Sequence, residues 1–447
     1  MLKTHMEHKM KFFDREDKIE KLKSILAASQ NESKFTVITG RRRVGKTELV
    51  KQAYSDTPFV YLFVSDKSEK ELVEGFVSEF NSTIPSSISS DIHTLEGFLV
   101  EVFKVAKSQN ITVFIDEFQD FRKVKPSFFS ILQGIWDREH NKAKLNLVAC
   151  GSINSIMNKI FMNRKQPLFG RQTSFMRIEP FSTSVLKNIL AFHNKNYKAE
   201  DLLALWTFTG GIAKYVALLM DAGATTLEKM IKTIVEEDSF FINEGKILLS
   251  DEFGKGFSTY FSILSAISKG MTTRNEIEQF VGRQIGGHIS RLEEDYHMIA
   301  KIKPFGAKNA RLTRYQISDP FYRFWFRFIF KYDYMIQISA FKKLRSILLR
   351  DYPVFSGHSL EDYFKSKLAE SGDFSRIGSW WDRKGENEID IIAEDEIDNK
   401  MLVAEVKCDE SRADIDVLKS KFEAFKQSYK VGGRTTVEYK IFSMADM

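Results

Sequence analysis

The chain has 447 residues, of which 43% are hydrophobic and 28% charged, with 39 Phe and a formal charge of +6. That apolar content packs several cores and excludes a disordered chain, and no apolar run approaches the ~18 residues of a membrane span. Two cysteines exclude a disulfide framework and a zinc cluster, and the mild positive charge permits a nucleic-acid partner without requiring one. The basic, non-apolar start of the chain fits a cytoplasmic protein with no membrane partner.

The first strong pattern is "KFTVITGRRRVGKTELVKQAY". Residues 35–39 read as a buried strand and residues 48–54 as a helix. Between them, Gly40, Arg41, Arg42, Arg43, Val44, Gly45, Lys46 and Thr47 have the spacing of a phosphate-binding loop, with Glu48 opening the helix. Glycines let the backbone wind around phosphate, and loop N–H groups at a helix N-terminus offer positive partial charge. Lys46 reaches toward the β- and γ-phosphates of ATP, and the Thr47 hydroxyl toward Mg2+.

A short apolar strand at 111–115 ends in Asp116 and Glu117. Asp116 suits a water-bridged metal, and Glu117 suits the orientation and deprotonation of an attacking water. Further strands are expected at 59–64, 145–150 and 175–178. Helical stretches alternate with them, as in a parallel α/β sheet.

Residues 181–249 are helix-rich. From Phe257 onward, three helices ending near 270, 282 and 298 precede a hairpin with its tip at 306–309, the order of a winged helix-turn-helix. Between Lys255 and Gln316 there are ten Lys or Arg and five Asp or Glu. The basic side chains Lys301, Lys303, Lys308 and Arg311 gather on the wing, whereas Glu293, Glu294 and Asp295 end the third helix. The wing is therefore the expected surface for double-stranded DNA. The aromatic run "YQISDPFYRFWFRFIF" reads as core rather than as a base-stacking platform.

After a helical connector at 332–350, residues 356–370 read as an amphipathic helix carrying Glu361. "NEIDIIAEDEIDNKMLVAEVK" gives two strands. Alternation puts Glu405 and Lys407 on one face, which Asp390 approaches if the strands pair. Asp390 and Glu405, with Glu361 as a third ligand, are the expected holders of a second Mg2+ or Mn2+, and Lys407 the group that positions or deprotonates water.

These motifs carry two resemblances. Residues 12–219 resemble the AAA-like P-loop ATPases, in particular the archaeal-type ATPase family. "FFDREDKIEKL" is similar to that family's opening motif, "CGSIN" to its sensor-1 segment with Ser152 or Asn154 as the polar group, and "LFGRQTSF" to the segment supplying an arginine finger, Arg171. The resemblance implies ATP hydrolysis and a homo-oligomer if Arg171 acts on a neighbouring copy. The last ~95 residues resemble the PD-(D/E)XK nucleases, which implies a metal-dependent cut in DNA.

The expected fold class is α/β. It comprises a P-loop ATPase core at 1–180, a helical lid at 181–250, a winged helix-turn-helix at 251–325, a helical connector at 326–350 and a small nuclease-like α/β domain at 351–447. The leading expectation is a DNA-directed ATPase with a nuclease-like tail. The alternative is a regulatory ATPase switch whose tail binds protein or nucleic acid without cleavage. No acceptor-pocket signature accompanies the phosphate loop, which disfavours a metabolite kinase.

Overall fold

The computed structural model describes residues 10–85, 88–307, 312–409 and 414–447, with the side chains of Asn154 and Lys255 left aside. The chain forms two compact units. One comprises residues 14–180, the other residues 181–447 with the N-terminal segment up to Phe13.

The first unit is built on a five-stranded parallel sheet. Its strands are β1 (Lys34–Gly40), β2 (Val60–Phe63), β3 (Ile111–Asp116), β4 (Leu145–Gly151) and β5 (Ser174–Ile178), in the order β2-β3-β4-β1-β5. Both faces are covered, so β3 and β4 are buried along their whole length and read as continuous apolar runs. Phe35 packs edge-on against Phe118 and Phe161 beneath the sheet, with ring centroids 6.4 and 5.5 Å away. Helix α1 (Lys46–Ala53) follows β1 through the phosphate loop. Gly40 has φ of 151°, and a Cβ there would lie 2.4 Å from the Ile178 carbonyl oxygen, so only glycine closes this turn.

The second unit opens with helices. Of these, α2 (Ala199–Thr209) is buried all round, and Asp201 in its first turn accepts from the N–H groups of Lys198 and Leu227. Helices α3 (Phe257–Ser268), α4 (Arg274–Val281) and α5 (Gly286–Ser290) then lead into the antiparallel pair β6 (Ile299–Ile302) and β7 (Arg314–Ile317). A Thr273–Glu276 capping box starts α4, and Gly282 at φ 75° stops it. Of the expected basic wing, Lys301 and Lys303 are exposed on and beside β6, whereas Lys308 and Arg311 lie outside the described residues.

The aromatic run is interior. Asp319 caps α6 (Pro320–Phe324), and Phe321, Phe324, Trp325, Phe326 and Phe328 are all buried. The Trp325 indole N–H donates to the Ile242 carbonyl, and Gly245 leaves room for its ring, which a Cβ would meet at 2.3 Å. The connector and the amphipathic helix expected as separate pieces are one helix, α7 (Phe341–Ser371), with Pro353 inside it.

The C-terminal sheet has the order β11-β10-β9-β8, formed by β8 (Arg376–Trp381), β9 (Glu388–Asp395), β10 (Lys400–Val406) and β11 (Thr436–Phe442). The first three strands pair antiparallel, and β11 joins β10 in parallel after helix α8 (Ile415–Ser428). Phe305, from the β6–β7 connection, is part of this domain's core with Trp380, Phe422 and Phe425. Its N–H donates to the Ser379 carbonyl at 2.7 Å, and Gly306 packs so closely on Tyr429 that a Cβ would sit 2.1 Å from the ring. Phe305 and Gly306 are thus docked on the tail sheet.

Candidate functional site

The phosphate loop and the end of β3 meet at the carboxyl edge of the parallel sheet, where open α/β sheets place ligands. Lys46, nearly buried, donates to the carbonyls of Gly40 and Arg41 at 2.9 and 3.0 Å. Its ammonium is therefore folded onto the loop that would hold phosphate. The Thr47 hydroxyl donates to Asp116 Oδ2 at 2.7 Å, and the Tyr61 hydroxyl to the same oxygen at 3.2 Å. Burial, then the Asp116 charge, pushes the Tyr61 phenol up, and the same two causes raise the Cys150 thiol. A hydroxyl and a carboxylate oxygen in direct contact are hard ligands of the kind Mg2+ takes, so Thr47 and Asp116 fit the ion.

Glu117 sits next along in the left-handed region, φ 52°, a conformation costing on the order of 1 kcal/mol for a residue with a side chain. The turn aims its carboxylate along the sheet edge. There Glu117 Oε2 accepts from Ser152 Oγ at 2.7 Å and from Gln119 Nε2 at 2.5 Å. Ser152, at the end of β4, thus reaches the carboxylate beside the phosphate loop. Gln119 is buried, and its Oε1 has no hydrogen-bond partner among the described residues. Arg43 and Gly45 take positive φ in the loop, and Val44 is buried beneath it.

Arg171 stands elsewhere. Its guanidinium forks onto Asp137 at 3.0 and 2.9 Å and onto the Phe169 carbonyl at 3.0 Å. Two residues later, Thr173 N–H donates to the Phe35 carbonyl, at the start of β1. The phosphate loop follows the other end of β1, roughly 16 Å away at ~3.3 Å per residue. The structure therefore does not bring Arg171 to the phosphate loop of its own chain.

In the C-terminal domain the structure brings Asp390, Glu405 and Lys407 together. Asp390 Oδ2 accepts the Val406 N–H at 2.8 Å, and the Lys407 ammonium lies 3.6 Å from Asp390 and 2.7 Å from Glu405. Lys421, on α8, holds the other oxygen of Glu405. Burial alone would raise the Glu405 carboxyl, but the hydrogen bonds from Lys407 and Lys421 outweigh it and hold the group low. Glu361 is paired with His358 at 3.4 Å and Lys365 at 3.9 Å. The expected three-carboxylate ligand set is not assembled: among the described residues no three acids, histidines or cysteines are grouped to hold a metal. Lysines supply the neutralising charge around Glu405 instead.

Asp390 bears a measurable cost. Burial, then the nearby Glu361 carboxylate, pushes its carboxyl up to about 6, against ~3.9 when unfolded. Between those values the folded chain binds more protons than the unfolded one, so stability falls as pH rises from about 4 to about 6 and stays lowered at neutral pH. Asp390→Asn keeps an oxygen for the Val406 N–H and removes the charge. It is expected to stabilise the C-terminal domain by about 1–3 kcal/mol at pH 7 and by nothing at pH 4, as read by urea unfolding on Trp380 and Trp381 fluorescence. Equal stability of variant and wild type at pH 7 contradicts this assignment.

Three contacts escaped sequence reasoning: Tyr61 on Asp116, Gln119 on Glu117 and Lys421 on Glu405. Only Gln119 left a local signal, being two residues after Glu117 in the same tight turn.

Comparison with known proteins places this geometry. Residues 12–219 match the model of an ATPase domain predominantly from Archaea, and residues 325–418 that of archaeal and bacterial proteins of unknown function. An uncharacterized protein of Methanocaldococcus jannaschii is 29% identical over 435 residues, covering 94% of this chain and 92% of its own length. Among solved structures, a Walker-type ATPase of Pyrococcus abyssi is similar at TM-score 0.54 and 17% identity, over 72% of this chain and 99% of that one. The ORC2 protein of Aeropyrum pernix, solved in ADPNP–ADP complexes, is similar at TM-score 0.52 and 12% identity, over 76% and 96%. At these identities the two structures speak for a shared fold. Among the described residues no helix is long and apolar enough to cross a membrane.

Proposed function

We propose that this chain, which carries a P-loop ATPase domain of the archaeal type at residues 12–219, binds ATP at residues 40–48, hydrolyses it with Glu117 as the base, and directs that cycle at DNA. The observation that carries the ATPase reading is the contact of Thr47 with Asp116, beside a Glu117 held by Ser152 and Gln119. Lys46 exchanges the carbonyls of Gly40 and Arg41 for the β- and γ-phosphates, and the loop N–H groups bind the phosphate oxygens. Thr47 and Asp116 hold Mg2+, which supplies charge neutralisation at the transferring phosphoryl group. Glu117 orients a water in line with the γ-phosphorus and takes its proton, and ADP departs from the opposite side. Ser152 keeps Glu117 aimed along the sheet edge.

The direction toward DNA rests on the helix–helix–helix–hairpin order of residues 257–317, read as a winged helix between a lid at 181–250 and the tail. Lys301 and Lys303 are the exposed cations on and beside β6, and Phe305, two residues further on, is packed into the tail core. Charge reversal at both positions is expected to flatten the log–log salt dependence of DNA affinity by about 1.8, at ~0.9 per phosphate contact. An unchanged slope removes β6 from the DNA surface.

The tail is read as a PD-(D/E)XK-like domain in which Asp390 and Glu405 hold a divalent cation beside Lys407. One observation favours the second reading, a switch without cleavage: Lys407 and Lys421 already neutralise Glu405. Supercoiled plasmid with Mg2+ or Mn2+ separates the two. Nicking by wild type, absent in Asp390→Ala and Lys407→Ala, supports cleavage. Intact plasmid under every divalent ion and nucleotide condition leaves the switch.

A further inference from the structure

The carboxylate site of the tail opens on one side into a cleft. Asp390 and Glu361 line a cleft of about 670 Å³ within the second unit. Strand β8 and the start of β9 form one wall with Ser379, Trp381 and Glu388, and α7 forms another with Arg350, Val354 and Phe355. The hairpin closes the third side through Arg314 and Gln316 of β7, and α6 and the turn after it add Arg323 and Arg327. Because Phe305 is packed into the tail core, the hairpin wall is held in place.

The lining has the chemistry of a strand of nucleotides. The Arg314 guanidinium carbon lies over Trp381, 4.4 Å from its ring centroid, and Arg314 pairs with Glu388 at 3.6 Å, both residues lining the cleft. Guanidinium planes and aromatic faces are the platforms on which unpaired bases stack. Val354, 84% exposed, and Phe355 add apolar surface. Arg323 and Arg350 are engaged by Asp362 and Asp351. Arg327 has no ion-pair partner among the described residues; it lies over Phe328 at 5.3 Å and faces Asp351 only at longer range. Lys365, also in the lining, is paired with Glu361 at 3.9 Å, so Arg327 is the lining cation left for a phosphate.

Size decides which form of nucleic acid enters. Cavities of about 300–1,000 Å³ hold drug-sized molecules, which is one or two nucleotides. A single turn of duplex, ~34 Å long and wider than its ~12 Å major groove, fills several thousand Å³. We propose that this cleft admits an unpaired nucleic-acid strand, one or two nucleotides deep, past Arg327 and the Arg314–Trp381 stack to Asp390, and that it excludes the double helix. This rests on reading the tail as directed at nucleic acid, and it names the substrate class of that site: a single-stranded end or flap.

The test is anisotropy binding of the full-length protein carrying Lys301→Glu and Lys303→Glu, so that β6 adds no duplex binding, in EDTA so that nothing is cleaved, to fluorescein-labelled probes of about 12 nucleotides, within the ~4–16 that single-strand sites span. The probes are a single-stranded oligodeoxynucleotide, the oligoribonucleotide of the same sequence and the blunt DNA duplex. At least one unpaired probe is expected to bind about tenfold or more tighter than the duplex, and the DNA and RNA arms identify the sugar. Arg327→Glu, which reverses the free cation, and Val354→Trp, which fills the cleft from an exposed position, are each expected to weaken that binding about tenfold. ATP turnover and melting temperature should be unchanged. Equal affinity for duplex and single strand, no effect of either variant, or full competition by AMP at the strand's own affinity overturns the proposal. The reading of the tail as a nuclease fails separately: tight single-strand binding with no cut under any metal refutes cleavage and leaves the strand cleft standing, whereas cutting of duplex without single-strand preference does the reverse.

Discussion

Glu117→Gln is expected to lower ATP turnover by about 10²–10⁴-fold, the range that a positioned general base contributes, while ATP still binds. The amide is nearly isosteric and keeps an oxygen that accepts from Ser152 and Gln119, so the turn at φ 52° has no reason to rearrange. What it loses is the capacity to take a proton from water. The variant should therefore accumulate bound ATP, seen as nucleotide retained through gel filtration and identified as triphosphate. Turnover at the wild-type rate assigns the base elsewhere. The buried, half-satisfied Gln119 makes a companion measurement informative: Gln119→Leu frees Glu117 from one of its two donors and should lower kcat more than it changes KM.

Arg171→Ala is expected to reduce turnover by on the order of 10³-fold or more if the residue serves a neighbouring copy as an arginine finger. The structure supports no other catalytic route for it. Its guanidinium is bound to Asp137 at the amino edge of the sheet, and the phosphate loop is at the carboxyl edge. A finger from this position acts only in trans, so wild-type specific activity should rise with protein concentration. Mixing Arg171→Ala with Lys46→Ala should restore activity, because each supplies what the other lacks. If Arg171→Ala turns over like wild type, the arginine is a structural partner of Asp137, an exposed pair worth ~0–1 kcal/mol.

The geometry of the candidate nucleotide site was legible because its parts are contiguous. Gly40 to Glu48 form one loop and the first turn of one helix, and Asp116 and Glu117 end one strand, so local spacing carries the geometry. Asp390 and Glu405 were legible for a similar reason: they lie on two strands joined by a short turn, and alternation fixes their common face. Tyr61 and Lys421 were not, because each reaches its partner from a separate element whose sequence reports burial alone. The docking of Phe305 on the tail is long-range packing that no period reveals. The connector expected at 332–350 and the helix expected at 356–370 are one element: α7 runs through Pro353 to Ser371, with Leu348, Tyr352, Ser356 and Leu360 buried along it. Burial against neighbouring helices outweighed the ~3 kcal/mol that proline costs inside a helix.

The central claim, that residues 40–48 with Asp116 and Glu117 form a working ATP site, is tested most directly by phosphate release from Mg·ATP, measured side by side for wild type and Lys46→Ala. Lys46 is the phosphate-loop cation whose ammonium sits on the Gly40 and Arg41 carbonyls, poised to turn onto the β- and γ-phosphates. Wild type is expected to release phosphate with Mg2+ and to stop when EDTA removes it, and Lys46→Ala to release none above background. Undiminished release by Lys46→Ala, or none from wild type at any protein concentration, contradicts the account.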